Sequence, residues 1–149
     1  MKKNLIYFLV LLLFPAVLAA CSEDDLSSTS VIQPPQVVQN DFDRWLDRHY
    51  LAPYNIEFQY RYTDIESSMG YYLTPADYNQ SIALAKLVIA LCLEPYDEVT
   101  GSRDFIRAYF PKIIFLTGSP AYKSNGSIIL GTAEGGKKIT LFNVDALQI

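Results

Sequence analysis

The amino-acid sequence predicts an α+β fold in which a mixed, mainly antiparallel sheet packs on helices. Most of the sheet is expected in residues 112–142, where three apolar runs are separated by turn signals. The runs are residues 112–117, 127–133 and 138–142, and the turns are Asn125-Gly126 and Gly135-Gly136. Together with one earlier strand and three helices, these runs make an α+β unit.

Residues 1–20 have the pattern of a signal peptide. Lys2 and Lys3 precede an apolar run over residues 5–18, and small residues follow it. The run is shorter than the roughly 20 residues that a helix needs to span a bilayer, so the sequence favours cleavage over a transmembrane segment. The chain of 149 residues then has room for one domain.

The end of this signal predicts a lipid anchor. Leu18-Ala19-Ala20-Cys21 resembles the lipobox of bacterial lipoproteins, in which the cysteine is acylated and becomes the mature N-terminus. Lipid attachment at Cys21 would hold the protein on the surface of a membrane, and the chain itself would not cross the bilayer. The alternative is an ordinary secretory cleavage site, which would leave a free thiol on an exported protein.

Residues 21–39 are expected to be the lipidated cysteine and a disordered tether, because they are polar and contain Pro34-Pro35. The acidic residues Glu23, Asp24 and Asp25 follow Cys21 closely. They resemble the signal that sends some Gram-negative lipoproteins to the outer face of the outer membrane. This favours a lipid-anchored position in the outer membrane, at the cell surface, over a merely solvated leader.

The charge balance argues against a nucleic-acid partner. Removing residues 1–20 takes away two lysines and no acid, which leaves 10 basic and 16 acidic residues and a net charge of −6. The basic doublet Lys137-Lys138 is too small to neutralise a phosphate backbone. Cys92 lies in an apolar run and is expected to be a small buried hydrophobe.

The folded domain is expected to cover residues 40–149 and to open with a helix. Asn40 can cap this helix, which should end before Pro53. Its inner face carries four residues at helical spacing, namely Phe42, Trp45, Leu46 and His49. Residues 56–62 alternate apolar and polar side chains, which predicts a half-buried strand with Tyr60 and Tyr62 in the core.

A second helix is predicted after a loop over residues 63–73. Thr74-Pro75-Ala76-Asp77 has the residues of a helix start, with Thr74 as the cap. The helix should run to about Leu93, end at Pro95 and be buried all round, because apolar residues cover nearly its whole surface. A short helix over residues 102–110 follows.

The C-terminal residues 145–149 resemble the first turn of another helix. Neither a C-cap nor a polar tail follows them, so we expect a continuation that this sequence does not contain.

No pattern in this chain carries catalysis by itself. His49 is the one histidine, and it lacks partners at metal-ligand spacing, so packing or capping is the expected role. Residues 131–138 are rich in glycine but lie between two strands, which favours a hairpin over a phosphate loop. We therefore predict no catalytic, cofactor-binding or metal-binding residue here.

Several segments together resemble one known family. They are residues 42–46, 53–56, 60–62, 94–96, 118–122, 125–127 and 130–139. The sequence is similar to the substrate import-associated zinc metallohydrolase lipoproteins, zinc-binding metallopeptidases found beside TonB-dependent importers and SusD-type surface lipoproteins. The resemblance covers the chain from about residue 40, and Leu-Gly-Thr-Ala-Glu-Gly-Gly at 130–136 is a specific segment of it.

This resemblance implies the N-terminal lobe of a zincin-like fold, whose edge strand pairs with an extended substrate backbone. In that family a His-Glu-x-x-His helix supplies two zinc ligands and the general base. The helix follows the strand that corresponds to residues 138–143, and this sequence ends before it. The resemblance therefore implies zinc and peptide or protein substrates for the complete family member, and no metal ligand in this chain.

Two functions from different classes remain open. The first is a truncated or fragmentary zinc metallopeptidase lipoprotein, whose complete form hydrolyses peptide bonds at the cell surface with a zinc-activated water. The second is a non-catalytic surface lipoprotein that binds peptide or glycan for an importer, through Tyr71, Tyr72 and residues 119–125.

Overall fold

The computed structural model of this protein describes residues 38–67 and 70–148. The predicted signal peptide, the lipid site at Cys21 and residues 21–37 of the tether lie outside the described residues. The part from Val38 onward forms one unit in which helices and strands share a core. None of its described helices is both long enough and apolar enough to cross a bilayer.

Helix α1 runs from Asp41 to Tyr54 in three consecutive segments. These are an α-helical segment Asp41–Leu46, a π-helical segment Asp47–Leu51 and a last turn Ala52–Tyr54. Asn40 caps the helix as predicted, because its side chain accepts a hydrogen bond from the Asp43 N–H and the Asp43 carboxylate accepts from the Asn40 N–H.

The predicted end of α1 before Pro53 is wrong, since Pro53 lies inside the last turn. Just before it the Ala52 N–H donates to the carbonyl of Asp47, five residues back. This wider turn relieves the clash that a proline ring makes in a regular α-helix. The helix ends at Asn55, which adopts a left-handed conformation with φ of 55°.

Helix α2 also has three segments, namely Tyr78–Val88, a π-helical segment Ile89–Leu93, and Glu94–Thr100. Its cap is Asp77, whose carboxylate accepts hydrogen bonds from the N–H groups of Asn79 and Gln80. The prediction of Thr74 as the cap is wrong, because the backbone groups of Thr74 are hydrogen-bonded to Gly118 and Ser119 instead.

The predicted end of α2 at Pro95 is also wrong. The helix passes Pro95 directly after its π-helical segment and ends at Gly101, which has φ of 71°. Its predicted burial on all sides is wrong as well. Ala85 and Leu93 are buried, whereas Leu91 is 71% exposed.

The remaining elements within the described residues are one helix, six strands and a final turn. They are α3 (Asp104–Tyr109), β1 (Glu57–Gln59), β2 (Ile113–Leu116), β3 (Ala121–Tyr122), β4 (Ile128–Ile129), β5 (Gly131–Glu134), β6 (Lys138–Leu141) and a 3₁₀ turn (Val144–Ala146). The helix expected from Asp145 is thus this single turn, after which Leu147 is extended.

Four strands form one sheet in the order β1-β2-β6-β5, and β3 and β4 form a separate hairpin. Strands β1 and β6 run parallel to β2, and β5 runs antiparallel to β6. The predicted α+β class with a mixed sheet packed on helices is confirmed. The expected dominance of antiparallel pairing is not seen in the larger sheet, where two of the three pairings are parallel.

The two predicted turns have different outcomes. Gly135 and Gly136, both at positive φ, close the β5–β6 hairpin as expected. Asn125-Gly126 lies instead in the β3–β4 hairpin. The predicted strand over residues 127–133 is divided at Leu130, so its two halves belong to different sheets.

The core lies between one face of the sheet and the helices. Ile114 and Leu116 of β2 point into it, together with Phe58 of β1 and Leu84 of α2. Tyr50 is fully buried there, and its hydroxyl donates a 2.5 Å hydrogen bond to the Ala85 carbonyl. Burial raises the pKa of this hydroxyl.

The predicted strand over residues 56–62 is shorter in the structure, although its alternation is confirmed by the burial of Ile56, Phe58 and Tyr60. Tyr62 lies beyond the strand and is half-buried against Phe115. Cys92 is half-buried rather than enclosed, and its partial burial raises the pKa of the thiol.

Candidate functional site

Strand β5 is an edge of the four-stranded sheet, and no strand within residues 38–67 and 70–148 pairs with its outer side. The Phe142 N–H donates to the Leu130 carbonyl over 2.9 Å, which marks a hydrogen-bonded pair next to the β5–β6 ladder. Such pairs alternate along an antiparallel ladder, so Thr132 and Glu134 also direct their backbone groups toward β6. Gly131 and Ala133 therefore direct their N–H and C=O groups outward.

Little on this edge would keep another strand away. Proteins commonly protect sheet edges with charges, prolines or bulges. Here the residues with outward backbone groups, Gly131 and Ala133, are small and exposed. A Cβ at Gly131 would lie 3.2 Å from the Thr140 carbonyl oxygen and 3.5 Å from Leu141, so only glycine fits there without a shift of its neighbours.

An open cavity of about 220 Å³ adjoins β5. Its floor is the sheet face opposite the helices, since Phe115 alternates with Ile114 and Leu116, which face the core. Phe115, Thr140 and Thr132 form one cross-strand row of this floor.

The wall of the cavity comes from the segment before helix α2. Tyr71 and Leu73 both line the cavity, and the Tyr71 ring lies 6.0 Å from the ring of Phe142. This segment therefore covers part of the second sheet face, and it leaves the space beside β5 open.

A charged cluster lies at one end of the cavity. Lys138 is only 11% exposed, and its Nζ lies 3.4 Å from a carboxylate oxygen of Glu66 and 3.4 Å from one of Glu134. It also donates a 2.7 Å hydrogen bond to the Glu66 carbonyl. Two carboxylates share one ammonium group, so the cluster has one negative charge in excess. Glu134, which lines the cavity, is the more exposed carboxylate at 54%.

His49 does not lie on the inner face of α1, where it was expected. It is exposed, its ring stacks on Trp45 at 4.3 Å, and its Nδ1 lies 2.8 Å from the Trp45 carbonyl. Tyr50 takes the buried position instead.

The described residues do not form a zinc centre. In residues 38–67 and 70–148, no three His, Cys, Asp or Glu side chains lie close enough together to hold a metal ion. The donors of this part of the chain therefore do not fit a catalytic zinc site, which needs three protein ligands.

The second function predicted from the sequence uses Tyr71, Tyr72 and residues 119–125, and the structure brings these residues only partly together. Tyr71 packs against Phe142 and lines the cavity, whereas Tyr72 is fully exposed. The Thr74 N–H donates a hydrogen bond to Oγ of Ser119, so the segment that follows Tyr72 is connected to residues 119–125. Most of residues 119–125 is exposed and none of them lines the cavity.

Sequence reasoning missed Glu66, Leu73 and Glu134 as members of one site. The alternation of β5 and β6 could have placed Glu134 beside Lys138, because a glycine turn joins the two strands. The position of Glu66 depends on the path of a loop, for which the sequence carries no comparable signal.

Comparison with known proteins assigns the family. The sequence model of a family described as "putative zinc-binding metallo-peptidase" matches residues 35–149, which is more than half of the chain. The chain therefore belongs to this zinc-binding metallo-peptidase family.

A crystal structure described as a putative zinc-binding metallo-peptidase from Bacteroides caccae is 45% identical in sequence, with a TM-score of 0.58. The match covers 80% of this chain and 45% of that chain, so it spans less than half of the solved relative. No curated protein matches the chain.

Proposed function

We propose that this chain is a substrate-binding N-terminal lobe of a zinc metallopeptidase, whose complete form hydrolyses peptide bonds with a zinc-activated water. The observation that carries the proposal is the unprotected β5 edge beside a cavity, in a chain of the zinc-binding metallo-peptidase family. The zinc ligands and the general base would belong to a portion outside this sequence.

In this proposal an extended peptide adds to the sheet as a further strand. The outward N–H and C=O groups of Gly131 and Ala133 would bind its backbone, which needs no particular peptide sequence. Its alternate side chains would then lie on the two faces of the sheet, and those on the face of Thr132 would reach the cavity.

We propose further that the protein is a lipoprotein, anchored through Cys21 in the outer membrane at the cell surface. The lipobox pattern at residues 18–21 and the acidic residues after it support this location. The partners would be a TonB-dependent importer and a SusD-type lipoprotein, which take up the products. Mass spectrometry of the mature protein tests the anchor: acyl chains are expected on Cys21 and should be lost in Cys21→Ser.

Hydrogen exchange with a bound peptide tests the β5 edge. A blocked peptide of alternating valine and threonine should slow exchange of the Gly131 and Ala133 amides, because these become hydrogen-bonded. The amides of β1, at the opposite edge, serve as the internal control and should keep their rates. Equal protection at both edges, or none at β5, would contradict the proposal.

A second candidate function is a non-catalytic surface lipoprotein that binds peptide or glycan for an importer. It is favoured by the exposure of Tyr72 and Tyr122, since exposed aromatic rings can stack on sugars or apolar side chains. A protein of this kind would keep its ligand intact. Mass spectrometry of a peptide incubated with the complete protein and zinc distinguishes the two functions, because only the first yields cleaved products.

A further inference from the structure

We infer that the cavity beside β5 accepts a lysine or arginine side chain of the bound peptide. This inference rests on the proposed function, because a peptide side chain is delivered to the cavity by pairing with β5. It goes further in naming a side-chain class that the site prefers.

The register of β5 determines where such a side chain would go. Thr132 and Glu134 project from the cavity face, and Gly131 and Ala133 belong to the helix face. A residue paired beside Thr132 or Glu134 on an added strand shares their face, with its Cβ about 5 Å away. Its side chain therefore enters the cavity between the sheet and the wall formed by Tyr71 and Leu73.

The shape and chemistry of the cavity suit a long side chain with an aliphatic stem. Phe142 lies in the floor and Leu73 in the wall, so methylene groups would replace water against the accessible apolar surface of these two side chains. The ring of Tyr71 also lines the cavity, and aromatic rings can attract a cationic head group.

The charge at the end of the cavity selects a cation. Glu134 lines the cavity, is half-exposed, and shares Lys138 with Glu66. Lys138 keeps two contacts with Glu66, an ion pair and a hydrogen bond to its carbonyl. Glu134 can therefore turn to an incoming ammonium or guanidinium group without leaving Lys138 unpaired. An acidic side chain would instead be repelled by the excess negative charge.

Calorimetric titration with three matched peptides tests this inference. The peptides are blocked heptapeptides of alternating threonine and valine that differ only at the central residue, which is lysine, norleucine or glutamate. Norleucine has the carbon stem of lysine without the ammonium group. The protein should bind the lysine peptide about fivefold more tightly than the norleucine peptide, the size expected for a half-exposed ion pair. The glutamate peptide should bind most weakly.

Two variants locate the preference. Glu134→Gln should bring the lysine and norleucine affinities to about the same value, while the norleucine affinity stays that of the unaltered protein. Glu57→Gln is the matched control, because Glu57 lies at the opposite end of the same cross-strand row, through Ile113 and Lys138. It should keep the full preference.

The outcomes separate this inference from the proposed function. Equal binding of the lysine and norleucine peptides, together with protection of the β5 amides, would overturn the cation preference and leave strand addition intact. A preference that survives Glu134→Gln would also overturn it. Failure of all three peptides to bind or to protect β5 would overturn both.

Discussion

The backbone N–H of Asp77 donates a 2.7 Å hydrogen bond to Oδ1 of Asp145, across 68 positions of sequence. Asp77 also caps helix α2, so this bond fixes the helix N-terminus to the segment that follows β6. Gly118, two residues after β2, lies against both the Pro75 carbonyl and the Asp145 carboxylate. Three distant segments therefore meet at one point, which sets the position of α2 on the sheet.

Gly118→Ala should destabilise this meeting point. An added Cβ would collide with the backbone oxygen of Pro75 and with the carboxylate of Asp145. We expect the free energy of unfolding to fall by about 2 kcal/mol, as for other overpacked sites. Urea denaturation followed by circular dichroism measures it. Gly131→Ala is the control and should cost less, since its nearest contacts are 3.2 and 3.5 Å away.

Proline substitution distinguishes the free side of β5 from its paired side. Ala133→Pro removes an outward N–H, so it should abolish peptide binding with little loss of stability. Thr132→Pro removes a ladder hydrogen bond to β6 and should lower the midpoint of thermal unfolding clearly. Calorimetry and thermal scans of both variants measure these effects. Tight peptide binding by a folded Ala133→Pro variant would refute β5 as the binding edge.

Replacement of Lys138 should release the loop that precedes the cavity wall. Lys138→Met leaves Glu66 and Glu134 without their shared ammonium group, so residues 63–67 lose a tie to the sheet. We expect faster hydrogen exchange and faster proteolysis in residues 63–67. Lys137→Met, at the exposed neighbouring position, is the control. Indistinguishable loop exchange in the two variants would contradict a role for Lys138 in holding the loop.

The surroundings of Tyr54 predict that the folded protein loses stability at high pH. Burial, together with a 2.6 Å hydrogen bond to Asp97, raises the pKa of the Tyr54 hydroxyl to about 12. A raised folded-state pKa means that the stabilisation is complete below the unfolded value near 10 and is lost as the pH rises toward about 12.

Urea denaturation as a function of pH, with Tyr54→Phe for comparison, tests this expectation. The variant should be less stable near neutral pH, because Asp97 loses its donor, and its stability should fall less steeply above pH 10. Parallel curves for the two proteins would show that Tyr54 does not contribute to the alkaline loss.

The sequence predicted those features that depend on local chemistry. The cap at Asn40, the alternation through Phe58 and the Gly135-Gly136 turn all follow from residues close together in the chain. These signals survive folding because tertiary contacts reinforce them.

The sequence does not indicate the features that depend on long-range pairing. The parallel contact of β2 with β6 spans the β3–β4 hairpin and β5, and no residue in β2 indicates it. The same is true of the cavity, whose floor needs that pairing and whose wall comes from a loop. The prediction of Thr74 as the helix cap is wrong for a similar reason, since its backbone groups are hydrogen-bonded to Gly118 and Ser119.

The π-helical segment of α1 corrects the angular phase of its buried side chains. These recur every fourth position, at Phe42, Leu46, Tyr50 and Tyr54. In a regular α-helix three such steps would accumulate about 120° of rotation and carry Tyr54 away from the sheet. The wider π-helical turn offsets this rotation, so the four side chains stay on one face of the helix. Deleting a single residue from Asp47–Leu51 should let the helix return to regular α-helical turns, in which the shortened spacing keeps Tyr54 within about 20° of Phe42 around the helix axis.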